Sequence, residues 1–131
     1  MVRNVVVWAV TGAWIGFSEF LRNELLFKFH WIAKYEELGL VFPSSMANNA
    51  VWGIWSLLLA AVILFLSRRL SLPETVAVSW ISAFVLMWLT IGNLNVLPFR
   101  LLVAAVPLSV IEVFVAALIC YRYNHRQAPG T

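Results

Sequence analysis

Four uninterrupted apolar runs, at about residues 4–27, 45–66, 74–93 and 98–120, constrain this chain more than any other feature. Each approaches the roughly 20 residues that an α-helix needs to cross about 30 Å of hydrocarbon. The chain has 131 residues, 63% of them hydrophobic and 11% charged. A water-soluble fold of that size cannot hide so much apolar surface, because small domains leave a large part of their surface exposed. In lipid, backbone polar groups must be satisfied internally, which leaves helices or a closed barrel. Barrel strands alternate in short segments, whereas these runs are continuous. The expected fold is therefore an all-α integral membrane protein: one domain over residues 1–131, with four transmembrane helices and no room for a soluble domain.

The first run contains Glu19, is longer than the apolar core of a signal peptide and lacks a small-residue cleavage site, so it is expected to be retained. The second ends at Ser67-Arg68-Arg69. The third opens after Leu72 with Pro73, which suits a first helical turn. The fourth carries Pro107, which removes one backbone bond and invites a kink. Short connections make the second and third spans, and the third and fourth, antiparallel neighbours. The longer connection, about residues 28–44, spaces Trp31, Ile32, Tyr35 and Leu38 at helical intervals, with Lys34, Glu36 and Glu37 elsewhere. That pattern predicts a short amphipathic helix lying in the membrane interface; the alternative is an ordinary loop with aromatic anchors. The polar tail from Arg122 to Thr131 is expected to be loosely ordered.

The net charge of +3 is spread over the ends of the apolar runs and forms no patch that would neutralise phosphates, so nucleic acid is not an expected partner. Membrane lipids are, together with further copies of the chain or a larger membrane complex. Arg3, Arg68, Arg69, Arg122 and Arg126 fall on one side of the expected membrane, and Arg22, Lys28, Lys34 and Arg100 on the other. The positive-inside bias then places both termini in the cytoplasm, in the plasma (inner) membrane of a bacterium. Cys120 is the single cysteine, which excludes an intrachain disulfide, and it is expected to be a packing residue. Most of the seven tryptophans are expected to anchor at the interface. His30 and His125 do not form an inward pair, and no Ser-His-Asp, HExxH or phosphate-loop pattern occurs. No cofactor and no metal are expected.

Small and polar residues recur at the spacing of one helix face in every span. The stripes run through Trp8, Gly12, Gly16, Glu19 and Asn23; through Asn49, Gly53, Ser56 and Ala60; through Ser79, Ala83, Thr90 and Asn93; and through Leu101, Ala105, Leu108, Glu112 and Ala116. Gly12-Ala-Trp-Ile-Gly16 permits close helix approach, within one chain or between two.

Glu19 and Glu112 carry the functional signal, because intramembrane carboxylates are costly and face the bundle interior or water. With the spans as drawn, their heights differ by roughly 9 Å, so they are expected to occupy separate environments. Glu112 is expected to hydrogen-bond a neighbouring Ser, Thr or Asn. Arg22 can fold back on Glu19 as an ion pair. Glu19, Asn23, Asn49, Thr90 and Asn93 are expected to converge on one outward-opening pocket for an ion, proton or ligand. Burial there favours the neutral acid and Arg22 favours the anion, a balance that suits exchange near neutral pH.

Three functions fit these residues. The leading one is a small transporter or channel-like protein working as a homo-oligomer, with an intramembrane carboxylate as the responsive group. The second is an accessory or assembly subunit of a larger membrane complex. The third is a membrane-embedded lipid-modifying enzyme, for which no nucleophile or metal set is present, so that the chain is expected not to be an enzyme.

Overall fold

The computed structural model describes residues 2–125 as an all-helical chain, without strands among the described residues. Its α-helices are α1 (Val2–Phe20), α2 (Lys28–Glu37), α3 (Met46–Leu66), α4 (Leu72–Trp80), α5 (Leu86–Asn93) and α6 (Leu102–His125). Wider turns extend two of them. Leu21–Leu26 prolongs α1, and Ile81–Val85 joins α4 to α5 in one rod. Four continuous helices, Val2–Leu26, Met46–Leu66, Leu72–Asn93 and Phe99–His125, are long and apolar enough to cross a membrane.

Local chemistry accounts for the ends of these rods. Ser45 stands at the N-cap of α3, its hydroxyl accepting from the Asn48 amide. At the start of α4 the Glu74 carboxylate accepts from the Ser71 amide at 2.9 Å and from its hydroxyl at 2.7 Å. Helix α2 closes on Gly39, whose φ of 71° lets Leu40 donate to Tyr35 O at 2.9 Å. Asn95, with φ 59°, does the same after α5, so that Val96 donates to Ile91 O at 3.0 Å. Both are left-handed helix stops of the kind that glycine and asparagine tolerate.

Helix α6 is the central element, packing on α1, α3 and α4. Ile15, Leu59, Ala60, Ile63, Phe84, Val113, Ala116 and Ala117 form the larger core. A smaller one, made of Phe27, Leu97, Leu101 and Ala105 and covered by Trp31, closes the end where α2 begins. The Gly12–Gly16 stripe lies against α3 of the same chain. A Cβ on Gly12 would come 2.7 Å from Leu57 Cδ2, and one on Gly16 would meet the Ser56 side chain at 3.6 Å. Large apolar side chains, among them Val6, Phe17, Ile54, Leu58, Ile111 and Phe114, cover the outside of the bundle.

Two expectations change. The fourth long helix does not stop near Cys120 but runs to His125. Tyr123 donates to Asn4 Oδ1 at 3.0 Å and Asn124 to Ser67 Oγ at 2.8 Å, so Arg122–His125 belong to the bundle rather than to a loose tail. Residues 126–131, including Arg126 of the charge count, lie outside the described residues. Three tryptophans take on a role between helices. The indoles of Trp8, Trp14 and Trp80 donate to Leu57 O, Glu112 O and Ser109 Oγ, at 2.8, 3.0 and 2.9 Å, and so tie helices together. Pairing an indole N–H removes the cost of turning it inward.

Candidate functional site

The two wide turns shape the site. In the first, the Phe27 amide donates to Arg22 O, five residues back, at 2.9 Å. In the second, Leu86 donates to Ile81 O over the same interval. Such a turn accommodates one extra residue, which rotates the following helix by roughly 100° relative to an unbroken α-helix. In α1 it brings Arg22 and Phe27, five apart, to the same buried side. In the α4–α5 rod it brings Phe84 inward, 1% exposed.

Arg22 lies at the meeting point of those turns. Its side chain is 5% exposed, and its guanidinium stacks over the Phe84 ring with Cζ 4.9 Å from the centroid. On one side it forms an ion pair and hydrogen bond with Glu19 of its own helix, itself 5% exposed. On the other, Nη1 lies 3.3 Å from Oε2 of the fully buried Glu112 on α6. Asn23 Nδ2 donates to Glu19 Oε2 at 2.7 Å, and Ser18 Oγ donates to Glu112 Oε2 at 2.6 Å. One guanidinium thus holds two carboxylates from two helices, and a neutral donor backs each carboxylate. Glu112 Oε1 and Arg22 Nη1 have no hydrogen-bond partner among the described residues.

This geometry overturns the separation expected for Glu19 and Glu112. Extension of the last helix to His125 moves Glu112 close to its midpoint. The side-by-side fit of α1 and α6, marked by Thr11 Oγ1 at 3.4 Å from Cys120 Sγ, brings Glu112 level with Ser18. The long Arg22 side chain covers the remaining distance. The ion pair expected between Arg22 and Glu19 is present, as is the hydroxyl partner expected for Glu112.

The expected pocket of amides does not assemble. Asn23 reaches Glu19, but Asn49, Thr90 and Asn93 are exposed on the bundle surface. Thr90 bonds back to Leu86 O at 2.9 Å. The second wide turn explains the last two. Extrapolating the Ser79–Ala83 stripe with an unbroken period points Thr90 and Asn93 inward, whereas the extra residue turns Trp88 and Ile91 toward the cores instead. Asn49 sits beyond the stretch of α3 that α1 covers through Leu57 and Ser56. Two residues missed from the sequence are Ser18 and Phe84. A serine beside a buried glutamate was an available signal; an aromatic ring beneath a cation from another helix was not.

Outside the cluster, Lys28 pairs with Glu24 at 2.6 Å and Lys34 with Glu37 at 3.2 Å, both nearer solvent. Cys120 is fully buried against Thr11, in keeping with a packing role. Among the described residues no three His, Cys, Asp or Glu side chains stand close enough together to hold a metal ion. No protein-family model, curated protein or solved structure matches this chain.

Proposed function

We propose that the chain is an integral membrane protein with four transmembrane helices, and that its Glu19–Arg22–Glu112 cluster takes up a proton or a monovalent cation in transport across the membrane. Charge balance carries this reading: two buried acids share one buried base. With both acids ionised the cluster holds one unmatched negative charge, which is expensive in a low-dielectric interior. One proton, or one small cation, makes it neutral. Coupled transport needs such a group, able to take up and release a single positive charge.

The apolar outer surface and the lengths of the four rods support insertion in lipid. In α2, Trp31, Ile32 and Tyr35 are partly buried, as is Leu38 at its C-cap, while Glu36 and Glu37 are exposed, which suits a helix lying at headgroup level. The charge asymmetry supports cytoplasmic termini in a bacterial plasma membrane. Four helices seldom enclose a pathway alone, so the working unit is a homo-oligomer.

The test is proton movement into liposomes that hold the purified protein and an internal pH-sensitive dye, driven by a potassium diffusion potential. Uptake above that of protein-free liposomes is expected, falling at least tenfold in Glu112→Gln and in Glu19→Gln. Uptake that both variants leave intact sinks the assignment.

One observation favours a second reading, an accessory subunit of a larger complex. Asn49 and Gly53 share an exposed face of α3, and no atom lies within 4 Å of where a Gly53 Cβ would stand. Such a notch accepts a partner helix at close range. Native mass measurement of the detergent-extracted protein separates the readings, since copies of this chain alone favour the first and a stoichiometric foreign subunit the second.

A further inference from the structure

Several hydroxyls on or at the ends of helices among the described residues bond back to a carbonyl. Ser56 Oγ donates to Trp52 O, Ser67 Oγ to Leu64 O, Thr90 Oγ1 to Leu86 O and Ser109 Oγ to Val106 O, at 2.9–3.0 Å. Thr75 and Ser79 differ. Both are fully buried, yet Thr75 Oγ1 and Ser79 Oγ have no partner among the described residues. They stand one turn apart on the same face of α4. The residues that α6 contributes to the larger core beside Cys120, namely Val113, Ala116 and Ala117, carry no polar side-chain atom. A buried polar group in this condition calls for an internal water.

Their position gives such water a purpose. The Trp80 indole bonds Ser109, one turn from Glu112 on α6, so the neighbouring Ser79 stands near the level of Glu112. Because α4 and α6 run antiparallel, Thr75 lies one turn further toward the end of the bundle that carries Ser71 and the Arg68–Arg69 pair. Glu112 Oε1, likewise without a partner among the described residues, marks the inner end of this series. Hydroxyls four residues apart on a helix are separated by about 6 Å along its axis. Two waters in series, with three hydrogen bonds of about 2.8 Å each, bridge that interval.

We propose that a file of internal water, held by Ser79 and Thr75, connects Glu112 to the end of the bundle bearing Arg68 and Arg69. The file serves as one half of the proton route in the reading above, on which its purpose rests. A proton leaving the Glu112 carboxyl passes to the first water. Each hydroxyl then accepts one proton and donates another, and the last water releases a proton to solvent. The carboxylate left behind keeps Arg22 as its counter-charge.

Water access is tested independently of transport. In a Cys120→Ala background, Thr75→Cys, Ser79→Cys and, as a dry control, Ala60→Cys are exposed in sided vesicles to silver ion. Free thiol is then counted by alkylation and mass measurement. Silver is expected to block both α4 cysteines from the Arg69 side at least tenfold faster than it blocks the Ala60→Cys thiol. Rates equal to that control, or access from the opposite side alone, overturn the file. Should a cysteine variant fail to fold, Thr75→Val keeps the side-chain shape, and an unchanged proton uptake in it overturns the proposal. Blocking at the expected rate in a protein that moves no protons removes the transport reading and leaves the water file standing.

Discussion

Arg22 and Glu112 meet inside the bundle, Nη1 3.3 Å from Oε2, and so join the first long helix to the last through charge. Glu19 holds the same guanidinium from the other side. Removing the base alone leaves two acids facing each other without a counter-ion. Arg22→Met is therefore expected to destabilise the fold by about 3–5 kcal/mol, the usual cost of breaking a buried pair from one side. Adding Glu19→Gln and Glu112→Gln to Arg22→Met should recover most of that loss. Thermal unfolding in detergent checks both, and a wild-type melting point for Arg22→Met alone contradicts the buried cluster. Arg22→Lys is expected to fall between, because one ammonium cannot reach two carboxylates with the geometry of a planar fork.

Glu112 separates structure from function. Glu112→Gln keeps the side-chain shape and an oxygen for the Ser18 hydroxyl, so folding and oligomeric mass should stay close to wild type. Glu112→Leu abandons that bond, at about 0.6 kcal/mol on average and up to about 1.7 in membrane bundles. Melting curves and native mass spectra of the two variants decide. A well-folded Glu112→Gln protein with full transport activity removes Glu112 from the proposed function.

The glycines of α1 and α3 should respond in opposite ways. Gly12→Val places a branched side chain where even a Cβ would lie 2.7 Å from Leu57 Cδ2 and 3.6 Å from Leu57 Cα, so the Leu57 side chain must turn aside and its packing between α1 and α3 is lost. A loss of about 1–3 kcal/mol is expected, as for other overpacked contacts. Gly53→Ala meets nothing within 4 Å and should leave the isolated chain as stable or up to about 1 kcal/mol more so. Denaturant titration measures both. Loss of oligomer mass in Gly53→Leu, without loss of helix content, identifies that face of α3 as an assembly seam.

The proposed topology rests on four rods long enough to span a membrane and on the distribution of Lys and Arg. Reporter fusions after Arg69 and at the C-terminus should read cytoplasmic, and those near Tyr35 and Asn95 external. The same side reported at Arg69 and at Tyr35 eliminates the four-span arrangement.

The sequence alone determined the helices, because helix length and hydrophobicity are local sums. Each of the four runs had to become one rod whatever its neighbours, and Pro73, Gly39 and Asn95 lie where local backbone chemistry starts or stops a helix. Glu19, Arg22 and Glu112 stood out for the same reason, being charges inside apolar runs. Which polar residues meet was not local. Extrapolating a constant period sent Thr90 and Asn93 inward, but the extra residue in the Ile81–Val85 turn rotates the face and brings Phe84 beneath Arg22 instead. The relative heights of Glu19 and Glu112 depended on how far α6 slides along α1, and no stretch of either helix encodes that slide by itself. It is set by contacts between them: Thr11 with Cys120, Trp14 with the Glu112 carbonyl, and Ser18 with the Glu112 carboxylate. Tertiary packing alone turned two separate acids into one cluster, since a guanidinium can bridge two carboxylates only after the helices that carry them have docked.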